Sequence, residues 1–188
     1  MDGGISEAGN GVSAQDVPRV LIVQANRTYL GVIARRIVEG GYKVATAETV
    51  QGAIAELHRV SIQLVLSELR MPQVGGLELS RMLRDNPVHR EVPIFLITGK
   101  SDAEGAVEGY KAGADAVIAK PFHFEVLIAR IGREIERSRS LEELRTDNAV
   151  LDARVVGRAI ELGEMRERWL ASEAERRRLE QMVGSIAL

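Results

Sequence analysis

Three residues with chemically useful side chains each follow a short apolar run: Glu68 after Gln63–Ser67, Thr98 after Ile94–Ile97, and Lys120 after Ala116–Ala119. If those runs are parallel strands, a carboxylate, a hydroxyl and an ammonium share the sheet edge where the strands point their carboxyl ends. In open α/β sheets that edge is where ligands and chemistry collect. What the lone carboxylate of Glu68 can do there decides the function.

The elements that must position these groups are legible from pattern. Arg19 to Val23 is an apolar strand, and Arg27 to Glu39 repeats apolar residues at helical spacing before Gly40-Gly41 stops it. A strand at Tyr42 to Thr46, a helix at Thr49 to Arg59 and the strand delivering Glu68 follow. Gly75-Gly76 opens a helix over Leu77 to Arg84 that ends near Asn86-Pro87. Strand Pro93 to Ile97, helix Ala103 to Lys111, strand Ala116 to Ala119 and a helix from Phe124 to Ile135 complete five β/α units. Strands and helices alternating at this length predict an α/β fold, a parallel sheet covered on both faces.

The run Glu68-Leu69-Arg70-Met71-Pro72 with Gly75-Gly76-Leu77, the strand-end Thr98 and Lys120-Pro121-Phe122 together resemble the receiver domain of two-component response regulators. The resemblance covers roughly residues 18 to 137 and implies a flavodoxin-like, five-stranded parallel sheet. It also implies a protein partner in a phosphorelay pathway. In a typical receiver, an aspartate at the place of Glu68 accepts a phosphoryl group from a histidine kinase, and two acidic residues after the first strand bind Mg²⁺. Here those two positions are Gln24 and Ala25, followed by Asn26.

That departure predicts a degenerate pocket, formed by Glu68, Thr98, Lys120, Gln24, Ala25 and Asn26. Mg²⁺ wants about six oxygens, one or two of them from carboxylates, and Gln24 offers one neutral oxygen while Ala25 offers none. Phosphoryl transfer rests on positioning and charge neutralisation, and Glu68 is one methylene longer than aspartate. A misplacement of about 1 Å can cost on the order of a hundredfold. The expectation is a pseudo-receiver that does not turn over phosphate, with no cofactor and no metal. Glu68 then pairs with Lys120, either as a partial mimic of an aspartyl phosphate or as a plain salt bridge. Thr98 is placed to hydrogen-bond Glu68. Receivers usually carry an aromatic switch residue where this chain has Val117, a stiff β-branched side chain without a ring.

From Leu141 onward, positions spaced alternately three and four apart read Leu141, Leu144, Asn148, Leu151, Val155, Arg158, Leu162, Met165, Trp169, Ser172, Arg176, Leu179, Val183 and Ile186. This heptad seam predicts a long helix forming a two-stranded coiled coil, hence a homodimer. Asn148 at an a position favours a parallel pair. Arg158, Ser172 and Arg176 weaken the distal half, and Gly157, Gly163 and Gly184 are soft points. The alternative is a solvated helix folded back on the first domain. The heptad phase does not extend through Glu134 and Arg137, so a register change is expected near residues 136–140.

The expected organisation is a disordered tail over 1–17, a receiver-like domain over 18–137 and a coiled-coil helix over 138–188. Without cysteine the chain has neither disulfides nor thiolate metal sites, and its net charge of −2 gives no global pull toward nucleic acid. No apolar run approaches the roughly 18 residues of a membrane span, so a cytoplasmic location is expected. Arg176 to Arg178 read as a solvated face among glutamates rather than a nucleic-acid patch, and His58, His89 and His123 as scattered packing or surface residues. The closing sequence resembles linkers that precede other signalling modules, so the chain reads as a possible piece of a longer protein. The function expected is a non-enzymatic, phosphorylation-independent dimeric signalling or scaffold module. A conventional phosphoacceptor using Glu68 and a nucleic-acid-binding regulator using the helical tail stand as alternatives.

Overall fold

A computed structural model describes residues 17–186, with side chains through residue 182. The tail expected over 1–17 lies outside the described residues except for its last position. Ten elements alternate: β1 (Arg19–Val23), α1 (Arg27–Glu39), β2 (Lys43–Ala47), α2 (Val50–Arg59), β3 (Leu64–Glu68), α3 (Gly76–Asp85), β4 (Ile94–Thr98), α4 (Ala103–Lys111), β5 (Ala116–Ala119) and α5 (Phe124–Ile186). The strands form one parallel sheet in the order β2-β1-β3-β4-β5. This is the flavodoxin-like architecture, with a long C-terminal helix.

Strand alternation makes the two cores. Leu21 and Val23 face one side with Val65 and Leu96, covered by Val50, Ala53 and Leu57 of α2 and Leu79 and Leu83 of α3. Val20, Ile22, Leu64, Leu66, Phe95 and Ile97 face the other, covered by Leu30, Ile33 and Ile37 of α1 and Leu127, Ile131 and Ile135 of α5. Because neighbouring residues bury on opposite faces, the strands read as continuous apolar runs. Each fully buried Leu or Ile is worth about 1.5–3 kcal/mol.

Several element ends shift by a residue from the sequence reading, each for a local reason. Thr49 is the N-cap of α2, its hydroxyl accepting from the Gly52 N–H, so it precedes the helix. Glu68 and Thr98 are the last residues of β3 and β4 rather than the first beyond them, since the Leu69 N–H and the Lys120 N–H continue the ladder to Ile97 and Thr98.

The chain divides into two compact units, the first ending at Arg139 and the second starting at Ser140. The helical backbone of α5 runs unbroken across that division.

Candidate functional site

Glu68, Gln24 and Lys120 reach one place because β3, β1 and β5 end at one edge of the sheet. β1 stops at Val23, and the Gln24 N–H then bonds the Ala47 carbonyl at 3.0 Å, fixing the residue beyond the strand. Asn26 follows as the N-cap of α1, its Oδ1 accepting the Tyr29 N–H at 3.0 Å. Behind Glu68, Gly76 begins α3 so closely that an added Cβ would stand 2.5 Å from the Glu68 carbonyl oxygen.

The side-chain geometry is a clamp on one oxygen. Lys120 Nζ donates to Glu68 Oε2 at 2.6 Å, and Gln24 Nε2 donates to the same Oε2 at 2.8 Å. The Gln24 orientation follows from its other end, where Oε1 accepts the Asn26 N–H at 3.0 Å. With its carbonyl oxygen on a backbone donor, the amide can only present N–H to the carboxylate. Gln24 is buried, and the Glu68 and Lys120 side chains retain 15% and 32% exposure. Tyr29 lies under the ammonium, with Lys120 Nζ 4.5 Å from its ring centroid. Burial, and then the charge of Glu68, raise the Tyr29 phenol above its usual value. These residues, with Ala25, Asn26, Arg70 and Pro72, line an open cleft of about 470 Å³.

The Mg²⁺ implied by the family pattern does not fit this donor set. Two hydrogen-bond donors, an amide NH₂ and an ammonium, already occupy Glu68 Oε2. The Gln24 oxygen is committed to the backbone, Ala25 has no donor atom, and Asn26 Oδ1 caps α1. Among the described residues there is no group of three or more His, Cys, Asp or Glu placed to hold a metal.

Thr98 departs from the sequence reading. Its hydroxyl donates to Asp102 Oδ2 at 2.7 Å rather than to Glu68, and it is not among the residues lining the cleft. Asp102 caps α4, with Oδ1 accepting the Gly105 N–H at 2.8 Å, and Arg70 reaches Asp102 at 3.4 Å and Glu108 at 3.6 Å. The Thr98 hydroxyl, the Gly105 N–H and then Arg70 hold the Asp102 carboxyl below its usual range. The hydroxyl thus fixes the start of α4. Val117, read from the sequence as the switch position, is half-buried against Gly109, whose added Cβ would stand 2.8 Å from Val117 Cγ2. It lines a separate hollow of about 280 Å³ with Phe122, Val126 and Arg130.

The residues read from the sequence as a seam lie on the second unit. Leu141, Leu144, Leu151, Val155, Leu162, Met165, Trp169 and Leu179 are all exposed, as are Asn148, Arg158, Ser172 and Arg176. The side chains of Val183 and Ile186, and Gly184, lie outside the described side chains. Arg176 pairs with Glu173 at 2.6 Å and Glu180 at 3.6 Å along its own helix.

Sequence reasoning missed Tyr29 as a site residue, and missed Arg70 and Asp102. The signal for Asp102 was its place three residues before Gly105 at a helix start, the N-cap pattern. Nothing local marked Tyr29.

Comparison with known proteins agrees with this fold. The model of the response regulator receiver domain matches residues 20–132. A transcriptional regulatory protein of Pseudomonas aeruginosa is 35% identical over 128 residues, covering 65% of this chain and 51% of that protein. A probable cyclic di-GMP phosphodiesterase of Vibrio cholerae is 31% identical over 139 residues, covering 72% of this chain and 32% of that protein. Among solved structures, the signal receiver domain of a histidine kinase from Syntrophus aciditrophicus is 28% identical with a TM-score of 0.60, covering 64% of this chain and 91% of that one. The chain therefore spans about half or less of the length of the curated relatives it matches.

Proposed function

The chain belongs to the response regulator receiver family of two-component signalling, and on that premise we propose that it works without phosphoryl transfer, as a dimeric module recognised in one fixed state. The observation that carries this reading is the double donation to Glu68 Oε2, from Lys120 at 2.6 Å and Gln24 at 2.8 Å. In-line transfer needs a neutralising cation beside the attacking carboxylate. Here the residues that would bring the cation are an amide and an alanine, and the amide and the ammonium both donate to Glu68 Oε2 in its place. The charge balance that phosphorylation and metal would set in turn is replaced by a permanent carboxylate–ammonium pair.

Under this reading the receiver spans residues 18–137, the stalk spans 138–188, and the role is a protein contact rather than an enzymatic turnover. The named outputs of the relatives, transcriptional regulation in one and cyclic di-GMP hydrolysis in another, belong to proteins much longer than this chain. The stalk pairs in parallel through Leu141, Leu144, Leu151, Val155, Leu162, Met165, Trp169 and Leu179, with Asn148 of each copy bonding the other across the seam. Among the described residues no helix is long and apolar enough to cross a membrane.

The test is intact-mass measurement after incubation with acetyl phosphate and Mg²⁺, beside Glu68→Asp combined with Gln24→Asp and Ala25→Asp. The native chain is expected to gain no phosphoryl group, whereas the triple variant regains the donor set of a working receiver. A phosphoryl group on native Glu68 would overturn the proposal.

A further inference from the structure

One apolar face of the stalk is left over after the seam is closed. Between residues 149 and 163, the side of the helix opposite the seam carries Val150, Ala153, Val156, Gly157, Ile160 and Gly163, with no charged residue among them. At about 100° per residue these positions centre roughly half a turn from the Leu151–Leu162 stripe, so a two-stranded coil that buries the seam leaves them outside. Val150, Val156 and Ile160 are 47%, 59% and 59% exposed, and nothing lies within 4 Å of where a Cβ would stand on Gly157 or Gly163. The patch is bounded, with Glu142 and Glu143 before it and Glu164 and Glu167 after it on the same side. A solvated helix face has no need of a run of this kind flanked by glutamates.

We propose that this second face packs antiparallel against the same face of another copy, joining coiled-coil dimers side to side. Two features select that occupant. The first is steric. With the two-fold axis between Val156 and Gly157, Val156 meets Gly157 of the second copy, Ala153 meets Ile160, and Val150 meets Gly163, so every large residue faces a small one. A parallel pairing would set Val150, Val156 and Ile160 against themselves and Gly157 and Gly163 against empty space, giving crowding at one level and a void at the next.

The second feature is charge. Along one rim of the face lie Asp147, Arg154, Glu161 and Arg168. The same antiparallel alignment brings Arg154 beside Glu161 of the second copy and Asp147 beside Arg168, and each pair recurs by symmetry. On the other rim Arg145 approaches Arg166 unfavourably, while Asp152 meets the neutral Ala159. Attractive pairs therefore outnumber repulsive ones, and register and direction agree with the steric match. Since seam and second face lie on opposite sides of the helix, the assembly grows from dimers to tetramers and beyond as concentration rises.

That growth rests on the seam reading, but the face itself does not, and two variants of the full chain separate them. Light scattering across a hundredfold range of concentration is expected to show native mass rising above the dimer. Ile160→Glu is expected to stop at the dimer, and Leu151→Glu to leave only dimers joined through the second face. A native dimer lost in Leu151→Glu and kept in Ile160→Glu would overturn the second face and leave the seam standing. A dimer lost in Ile160→Glu and kept in Leu151→Glu would support the second face and remove the seam. A native monomer, or cover of the patch by the chain's own receiver, would overturn it outright. Because the chain has no cysteine, single Val150→Cys and Gly163→Cys chains give a readout that does not depend on a charged substitution. Mixing them under oxidation is expected to yield the mixed disulfide and little of either homodimer. Equal or greater self-cross-linking of each variant would overturn the antiparallel pairing.

Discussion

The two units solve opposite problems. In the first, every group at the strand ends that carries or shifts charge is met from within the chain. Lys120 and Gln24 hold Glu68, Asp102 takes the Thr98 hydroxyl, and Arg70 bridges to Asp102 and Glu108. In the second, the large apolar side chains from Leu141 to Leu179 are exposed, and the ion pairs run along the helix itself, as between Arg168 and Glu164 at 3.0 Å. Helix stability in proteins comes mostly from packing of an apolar face. The difference teaches where each unit's stability must come from. The first unit buries its apolar faces within itself, whereas the second leaves its apolar stripe exposed, which is the basis on which a dimer is proposed.

The comparison is broken most severely by attacking the close approach that builds the site. Gly76→Ala would drive a methyl to within 2.5 Å of the Glu68 carbonyl oxygen and 2.8 Å of Leu96 Cδ2. The backbone cannot yield as a flexible side chain would, so a loss of about 3 kcal/mol is expected, at the upper end of overpacking costs. Urea unfolding followed by the first unit's tyrosines measures it. A change below about 0.5 kcal/mol, the size of an ordinary surface substitution, would mean that the loop before α3 is not held as described.

Removing the clamp comes next. Breaking a fully buried pair costs about 3–5 kcal/mol, but with Lys120 at 32% and Glu68 at 15% exposure solvent screening reduces this to about 2 kcal/mol for Lys120→Met. Gln24→Leu, which takes away the second donor to the same oxygen, is expected to cost about 1 kcal/mol. The measurement is the shift in urea midpoint at constant slope. If Lys120→Met is neutral, Glu68 is held by water as well as by protein, and the first unit is less self-sufficient than described.

The second unit is sharpened by dilution rather than by mutation. Far-UV ellipticity of the native chain is expected to fall on dilution as the stalk dissociates, while hydrogen-exchange protection of the strand amides of the first unit holds constant. Parallel loss of both signals would show that the two units fold as one cooperative block.

These contrasts explain what the sequence could and could not reveal. The five strands and their covering helices follow from period-two and period-3.6 burial, so β1, α1, α4 and β5 read with their observed limits. The long C-terminal helix was legible for the same reason, from apolar residues at helical spacing. What stayed hidden was the choice of hydrogen-bond partner. Thr98 sits at a strand end beside the site, and only the fold shows that Asp102, four residues on, takes its hydroxyl first. Gln24 read as a poor metal ligand, but its donation to Glu68 depends on the Asn26 N–H claiming its oxygen, a matter of geometry over three residues. Arg84 was equally silent. Its guanidinium binds the carbonyls of Gly113, Arg90 and Val92 and the carboxylate of Asp115, tying α3 to the two loops beneath the sheet. A pattern of apolar residues survives in one dimension, whereas a polar network exists only once the chain has folded.

The smallest effect concerns a polar atom in the first unit left without a partner. His89 Nε2 is buried and has no hydrogen-bond partner. The ring lies 5.5 Å from that of His58 and borders a hollow of about 100 Å³ lined by Ile54, Leu57, Leu79, Met82 and Leu83. Burial, and then the nearness of His58, lower its pKa from the ordinary 6.5. The folded state therefore binds this proton less readily than the unfolded chain. The stabilising contribution of the neutral ring is fully present above 6.5, begins to be lost as pH falls through that value, and is gone below the lowered folded pKa. His89→Leu, which fills the same apolar site without a titrating group, is expected to flatten this part of the stability–pH curve and to raise stability at pH 5.5 relative to pH 7.5 by less than about 1 kcal/mol. An unchanged slope in the variant would assign the pH dependence to other groups.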